Sequence, residues 1–259
     1  MKKQKGFCIW ITGLSGSGKT TLADELRLQL GRPVSILDGD EVRKTLCKDL
    51  GFSKDDRDEN VSRIAFVASE LVKQGIIVIV SCISPYKDAR LDARNLIGDF
   101  IEVFLDTPKE VLSTRSKYLG EYEIGTPELV INSGTPQDNA LTLINYLVDA
   151  EYLGTSFMLG RFQLWHAGHT ALFKEALKEG RVCIGVRNLK KSKSNPFDFR
   201  EVEVSIQNAL VAYEGRYNII QMPNITSIVY GRDVGYDVKR IDLTPDLESI
   251  SGTKIRNKI

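Results

Sequence analysis

Eight residues near the amino terminus, Gly13-Leu14-Ser15-Gly16-Ser17-Gly18-Lys19-Thr20, restrict the folds open to this chain more than any other feature. Two glycines bracket four residues and are followed by Lys and Thr, the spacing of a loop that cradles phosphate. Gly13, Gly16 and Gly18 accept positive φ, so the backbone can wrap an anion and turn its amide hydrogens inward. Ser15, Ser17 and Thr21 belong to the same cradle. Lys19 brings a mobile positive charge to the outer phosphates, and the Thr20 hydroxyl can hold a magnesium ion. The flanks agree with this reading. Phe7 to Ile11 is an apolar run of strand type, and Leu22, Leu26 and Leu30 recur at helical spacing over residues 21–30. A strand that turns through such a loop into a helix N-terminus holds a triphosphate with backbone amides and dipole together. A nucleoside triphosphate with Mg2+ is therefore the expected ligand of the first half.

A chain of 259 residues suits one large domain or two ordinary ones. Its formal net charge of +1 argues against a bulk nucleic-acid or acidic-membrane binder. The partners expected are small-molecule nucleotides, with no nucleic acid and no membrane; homo-oligomer formation is left open. Cys8, Cys47, Cys82 and Cys183 form no Cys-x-x-Cys pair, and Cys8 and Cys82 lie in or beside apolar runs. That usage fits buried thiols of a reducing compartment. Residues 1–6 do not resemble a signal peptide, and no apolar run reaches membrane-spanning length, so a cytoplasmic location is expected.

Val34 to Leu37 reads as a second strand ending in Asp38-Gly39-Asp40. Carboxylates at the C-terminal edge of a parallel strand face the crevice where open α/β sheets bind ligands. There they can hold magnesium with Thr20 or accept a proton from an attacking hydroxyl; a turn with a helix cap is the simpler use of the same residues. Arg43, Arg57 and Arg63 recur at intervals that can bind an anionic second substrate, with Asn60 between them and Phe52 offering a ring to a base. Residues 76–80 and 101–105 read as further buried strands, the first running into Ser81-Cys82-Ile83-Ser84-Pro85-Tyr86. Residues 138–147 close the half as a helix. The βαβα succession predicts a parallel sheet with helices on both faces.

Gly13 to Thr20, Leu-Asp-Gly-Asp-x-x-Arg (37–43), Gly-Phe-Ser-Lys-x-Asp-Arg-Asp-x-Asn-x-x-Arg-Ile (51–64) and Ile-Ser-Pro-Tyr (83–86) together resemble adenylylsulfate kinase over about residues 5–115. The resemblance implies MgATP-dependent phosphorylation of the 3′-hydroxyl of adenosine 5′-phosphosulfate. It makes Asp40 the proton acceptor with Asp38 beside it, and places Arg43, Phe52, Arg57, Asn60, Ile83 and Ser84 on the nucleotide substrate. The chain departs from the family after Arg115. The basic, glycine-rich lid with its Lys-Gly-Phe-Thr-Gly segment is absent, and Lys117 is the nearest counterpart of the family lysine. That departure leaves another nucleotide carrying a small anionic group, such as a cytidine derivative, as an alternative acceptor.

The second half opens with a strand at residues 156–159 running into Gly160-Arg161-Phe162-Gln163-Leu164-Trp165-His166-Ala167-Gly168-His169. These are the chain's two histidines, set as His-x-Gly-His at the start of a predicted helix. Imidazoles at that place can donate hydrogen bonds to phosphate oxygens as charge builds at an α-phosphorus. Neither a third His nor a nearby Cys completes a metal site. Residues 182–186 read as a buried strand, and 229–233 as the end of another. Ile250-Ser251-Gly252-Thr253-Lys254-Ile255-Arg256 reads as a loop into a short helix that can meet outer phosphates. With Asn195-Pro196-Phe197 and Gly-Arg-Asp-Val-Gly-Tyr (231–236), these motifs resemble the cytidylyltransferase-like nucleotidyltransferases over about residues 156–258. The type that shares the Gly-Arg-Phe-Gln opening is the nicotinamide-mononucleotide adenylyltransferases. The resemblance implies that His166 and His169 stabilise the transferring phosphate, while Arg161, Ser251, Thr253 and Arg256 hold the triphosphate.

The expectation is an α/β protein of two domains. Residues 1–153 form a P-loop kinase with a parallel sheet, and residues 155–259 a smaller Rossmann-like nucleotidyltransferase. Alternatives are that the kinase phosphorylates a conjugate made by the second domain, or that one half senses nucleotides without turnover.

Overall fold

The computed structural model describes residues 5–116, 120–132, 134–229, 238–242, 244 and 246. In chain order the elements are β1 (Phe7–Thr12), α1 (Lys19–Gln29), β2 (Val34–Asp38), α2 (Gly39–Lys44), α3 (Lys54–Lys73), β3 (Ile77–Ser81), α4 (Lys87–Ile97), β4 (Phe100–Leu105), α5 (Lys109–Arg115), β5 (Leu129–Ile131) and α6 (Pro136–Asp149). There follow β6 (Gly154–Gly160), α7 (Ala167–Leu177), β7 (Gly180–Arg187), α8 (Phe199–Ala209) and β8 (Tyr217–Met222). The chain divides into two compact units, Met1–Tyr146 and Leu147–Ile259. The division falls inside α6, some residues ahead of the joint expected near 154.

The first unit holds a five-stranded, all-parallel sheet in the order β2-β3-β1-β4-β5. Every residue of β1, β3 and β4 is buried, as apolar runs of a sheet covered on both faces must be. Alternation along β1 sends Cys8 and Trp10 to one face, where they pack with Val61, Ile64, Ala65 and Ala68 of α3 and with Ala93 and Ile97 of α4. Helix α1 lies against β1, β2 and β3, burying Leu22, Ala23 and Leu26. The chain leaves central β1 for β2, returns to β3, then crosses to β4 on the other flank of β1. The carboxyl ends of β1, β2 and β3 therefore open on a crevice at the point where the winding reverses, the position at which such sheets bind ligands.

The second unit holds a three-stranded parallel sheet in the order β6-β7-β8. Its core joins Met158 of β6 and Val182, Ile184 and Val186 of β7 to Phe173, Ala176 and Leu177 of α7 and to Val202, Ile206 and Leu210 on and just beyond α8. Because the β7 residues in this core alternate, α7 and α8 share one face of the sheet. Strand β8 went unrecognised in the sequence: Tyr217-Asn218-Ile219-Ile220-Gln221-Met222 is half-buried and lacks a clean apolar run. The strand end expected at 229–233 and the phosphate loop expected at 250–256 fall largely or wholly outside the described residues. Among the described residues no helix is long and apolar enough to cross a membrane.

Candidate active site

The loop between β1 and α1 takes the conformation its glycines permit. Gly13 has φ 143, and a Cβ there would stand 2.8 Å from the Leu105 carbonyl oxygen. At Gly16, φ is 81 and a Cβ would stand 3.0 Å from the Arg115 Cβ. A side chain at either place would meet both backbone strain and collision. Gly18 caps α1 without a side-chain bond, which leaves the first-turn amides available to an anion.

Lys19 opens α1 and folds back over the loop, its Nζ donating to the Gly13 carbonyl at 3.0 Å and the Leu14 carbonyl at 2.8 Å. Burial lowers its ammonium to about 8, against the raising influence of Cys82, Asp40 and Asp38. Thr107 donates to the Ser17 carbonyl at 3.1 Å and ties the loop to the segment after β4.

At the end of β2, Asp38 does two jobs. Its Oδ1 accepts the Asp40 amide at 3.0 Å and caps α2, and its Oδ2 accepts the Thr20 hydroxyl at 2.8 Å. The cap is thus realised, and the second oxygen of the same carboxylate meets the threonine of the phosphate loop. Of the two carboxylates, Asp38 is the one bonded to Thr20. A hydroxyl and a carboxylate side by side are hard oxygen donors of the kind that hold Mg2+ together with substrate phosphates. Asp40 stands in the first turn of α2 with its carboxylate facing the same cavity.

The other side of the cavity comes from α3 and the segment before it. Ser53 caps α3 in a reciprocal capping box with Asp56 and fixes the preceding Phe52 at the rim, 70% exposed. The Arg43 and Arg57 guanidinium groups stand 4.6 and 5.5 Å from the Phe52 ring centroid. Arg43 also donates to the Gly51 carbonyl at 2.8 Å, and Arg57 Nε to the Phe52 carbonyl at 3.0 Å. Asn60 is buried with its Nδ2 3.7 Å from the Cys82 sulfur, and its Oδ1 meets no hydrogen-bond donor among the described residues. Beyond β3, Ile83 and Ser84 form the third wall, and Ser84 sits at φ 43. Together these groups enclose a cavity of about 620 Å³ that also reaches Ser15, Gly16, Ser17, Gly18, Thr20 and Thr21.

Arg63 is not part of it. Its guanidinium is bonded to both oxygens of Asp49 at 2.7 and 2.9 Å and to Glu59 at 2.8 Å. An arginine one turn beyond Asn60 points away from the crevice, and the regular spacing of the three arginines hid that. Lys117 lies outside the described residues. Three residues that sequence reasoning passed over do line the cavity: Arg115, Gly134 and Asn139. Arg115 reaches the phosphate loop, its Nη1 3.4 Å from the Gly16 carbonyl. Its place at the start of the departing lid was the available signal. Gly134 and Asn139 flank the start of α6, and no motif marked them.

In the second unit, β6 leads through Arg161–Trp165 to His166, the N-cap of α7. The His166 and His169 rings stack with centroids 3.7 Å apart, and Phe162 meets His169 edge-on at 5.1 Å. Burial, followed by the neighbouring His166, lowers His169 to about 4, and burial lowers His166 as well. Both imidazoles are therefore neutral near pH 7, and the Nδ1 of each is buried without a partner among the described residues. Arg161 stands 3.4 Å from the Asn195 Oδ1, on the Asn-Pro-Phe loop. Ser251, Thr253 and Arg256 lie outside the described residues.

Comparison with known proteins bears on the first unit. Residues 5–126 match the family model described as adenylylsulphate kinase. The adenylyl-sulfate kinase of Synechococcus sp. (strain JA-3-3Ab) is 56% identical over 115 residues, 43% of this chain and 65% of that protein. The adenylyl-sulfate kinase of Halothermothrix orenii is 53% identical over 118 residues, 44% of this chain and 64% of that protein. The chain thus spans just under two thirds of these relatives. Among solved structures, the APS kinase of Mycobacterium tuberculosis in complex with AMPPNP and APS is 33% identical, with a TM-score of 0.52, covering 56% of this chain and 98% of that one.

Proposed function

We infer the activity from one premise: residues 5–126 belong to the adenylylsulphate kinase family. We propose that the first unit transfers the γ-phosphoryl group of ATP to the 3′-hydroxyl of adenylyl sulfate. The observation that carries this reading is a single cavity with the phosphate loop and Asp38 on one side and Arg43, Phe52, Arg57 and Asn60 on the other. The loop amides and Lys19 hold the triphosphate, and Phe52 with its two arginines holds an anionic nucleotide against it. Thr20 and Asp38 would hold Mg2+, which neutralises charge on the β- and γ-phosphates when bound. Both oxygens of Asp38 are engaged, so the Asp40 carboxylate is the group that takes the proton of the attacking hydroxyl. As the new O–P bond forms, the bond between the γ-phosphorus and the bridging oxygen breaks, and ADP leaves.

Incubation of the wild-type protein with ATP and adenylyl sulfate, followed by mass spectrometry, tests this. A 3′-phosphorylated product is expected, with Asp40→Asn slower by roughly 10²–10⁴-fold, the usual contribution of a positioned acid or base. Formation of ADP that does not depend on any nucleotide acceptor would sink the reading. Phosphorylation of a cytidine conjugate in place of adenylyl sulfate would keep the chemistry and change the acceptor.

A second reading concerns the other unit. Two stacked, neutral imidazoles at the N-terminus of an 11-residue helix favour nucleotidyl transfer from a triphosphate to a phosphate-bearing acceptor, with release of pyrophosphate. Nicotinamide mononucleotide is one acceptor to try; another is the anion whose nucleotide conjugate the kinase then phosphorylates. Pyrophosphate release from ATP or CTP that is equal in wild type and His169→Ala contradicts the assignment. Nucleotide binding without any product would favour a sensing role instead.

A further inference from the structure

The segment from Gly120 to Gly125 lies at the end of the residues that match the kinase family model, and the kinase reading gives it no task. It is held unusually firmly for a connection without helix or strand. The Tyr122 ring stacks on Phe104 with centroids 5.1 Å apart and planes 13° apart, and the Arg90 guanidinium stands 5.1 Å from its centroid. The Tyr122 and Thr12 hydroxyl oxygens lie 2.9 Å apart, and Thr12 donates its one proton to the Ile83 carbonyl at 2.6 Å. Tyr122 is therefore the donor of its pair. The chain Tyr122–Thr12–Ile83 joins this segment to the residue preceding Gly13 and to the loop that walls the acceptor side.

Arg90 makes the same connection a second time. It is 1% exposed and paired with Glu102 at 2.8 Å. It also donates to the carbonyls of Ser84 at 2.6 Å and Glu123 at 2.7 Å. The Glu123 amide in turn donates to the Pro85 carbonyl at 2.8 Å. Ser84, at φ 43, is a non-glycine residue in the left-handed region; such a conformation persists only where its surroundings impose it. Here they are Arg90 and the Trp10 indole, which donates to the Ser84 hydroxyl at 3.1 Å. A cavity of about 360 Å³ lies between Phe52, Arg57, Ile83 and Pro85 on one side and Gly120 and Glu121 on the other.

We propose that Tyr122 is a positioning residue for the acceptor: through Thr12 and Ile83 it fixes residues 120–125 as a standing wall of the acceptor pocket. This rests on the kinase reading of that pocket. A wall of this kind acts on acceptor binding and leaves the phosphate loop's hold on ATP alone.

The test uses Tyr122→Phe in the full chain, which keeps the ring stack and removes the hydroxyl. Initial rates with ATP and adenylyl sulfate are expected to show the acceptor KM raised about tenfold, the effect of one lost buried hydrogen bond. The KM for ATP and kcat should stay within about twofold on the same grounds. Hydrogen exchange without nucleotides should speed up at residues 120–125 and not in β1 or β3. Unchanged exchange in that segment overturns the proposal, as does an equal rise in both KM values. If the wild type does not turn over adenylyl sulfate, the kinase reading fails separately, and titration of adenylyl sulfate and AMPPNP replaces the rates. Equal affinity of wild type and Tyr122→Phe for adenylyl sulfate then overturns the positioning role.

Discussion

Lys19 shows how one residue's surroundings set its chemistry. An ammonium taken out of water and laid on two carbonyls loses part of its hold on its proton and settles at about 8. On the proposed kinase reading its positive charge meets the outer phosphates, so kcat/KM for ATP should fall as pH rises through about 8. A flat profile from pH 7 to 9 would contradict that account. His169 titrates in the opposite range. With the native value near 4 and the unfolded one near the ordinary 6.5, the unfolded chain binds a proton between these limits that the native unit does not. Acidification through that window therefore costs the second unit stability, and nothing is lost above it. Thermal unfolding of wild type and His169→Asn at pH 7 and pH 4.5 checks the sign: the variant should lose less on acidification. At this scale the sequence was readable wherever a spacing carried chemistry. Gly13, Lys19 and Thr20 lie on the loop and helix start between β1 and α1, and the two histidines at the start of α7, as their spacing led one to expect. Arg63 shared the spacing of Arg43 and Arg57 but is bonded to Asp49 and Glu59.

Among the elements, α3 links packing to the pocket most directly. One face carries Val61, Ile64, Ala65 and Ala68 into the core, and its cap holds Phe52 at the rim. Ser53→Ala should cost about 1 kcal/mol in denaturant unfolding. The same variant should raise the acceptor KM more than that for ATP, because Phe52 is next in the chain. A heavier penalty belongs to the strand β4 and helix α4 pair. Arg90 and Glu102 are almost fully buried, so Arg90→Leu leaves the Glu102 carboxylate with the longer 3.6 Å contact to Arg94 and should cost about 3–5 kcal/mol, read in the same experiment. Four strands of the first sheet, β1 to β4, were visible as mostly apolar runs, most clearly β3, where burial on both faces leaves no polar alternation; β5, only three residues long at Leu129–Ile131, was not. Strand β8 was not either, because Asn218 and Gln221 interrupt it, and its place is set by pairing with β7 and by Tyr217 and Ile219 packing on the core. Arg90, Tyr122 and Glu102 escaped notice for a related reason: each acts through contacts with residues far away in the chain, which no local spacing records.

For the whole molecule, the two proposed chemistries fall on separate compact units, Met1–Tyr146 and Leu147–Ile259. Lys19→Ala should then abolish phosphoryl transfer and leave pyrophosphate release from the second unit unchanged, with His169→Ala doing the reverse. Loss of both reactions in either variant, with the fold retained, would mean that the chemistries are not separable. The central claim remains the kinase site at the carboxyl edge of the first sheet. Its most direct test follows label from γ-³²P ATP into adenylyl sulfate, with wild type and Lys19→Ala side by side. The account predicts labelled 3′-phosphorylated nucleotide from the wild type and none from the variant. Label remaining in ATP and inorganic phosphate for the wild type, or equal transfer by Lys19→Ala, would contradict it.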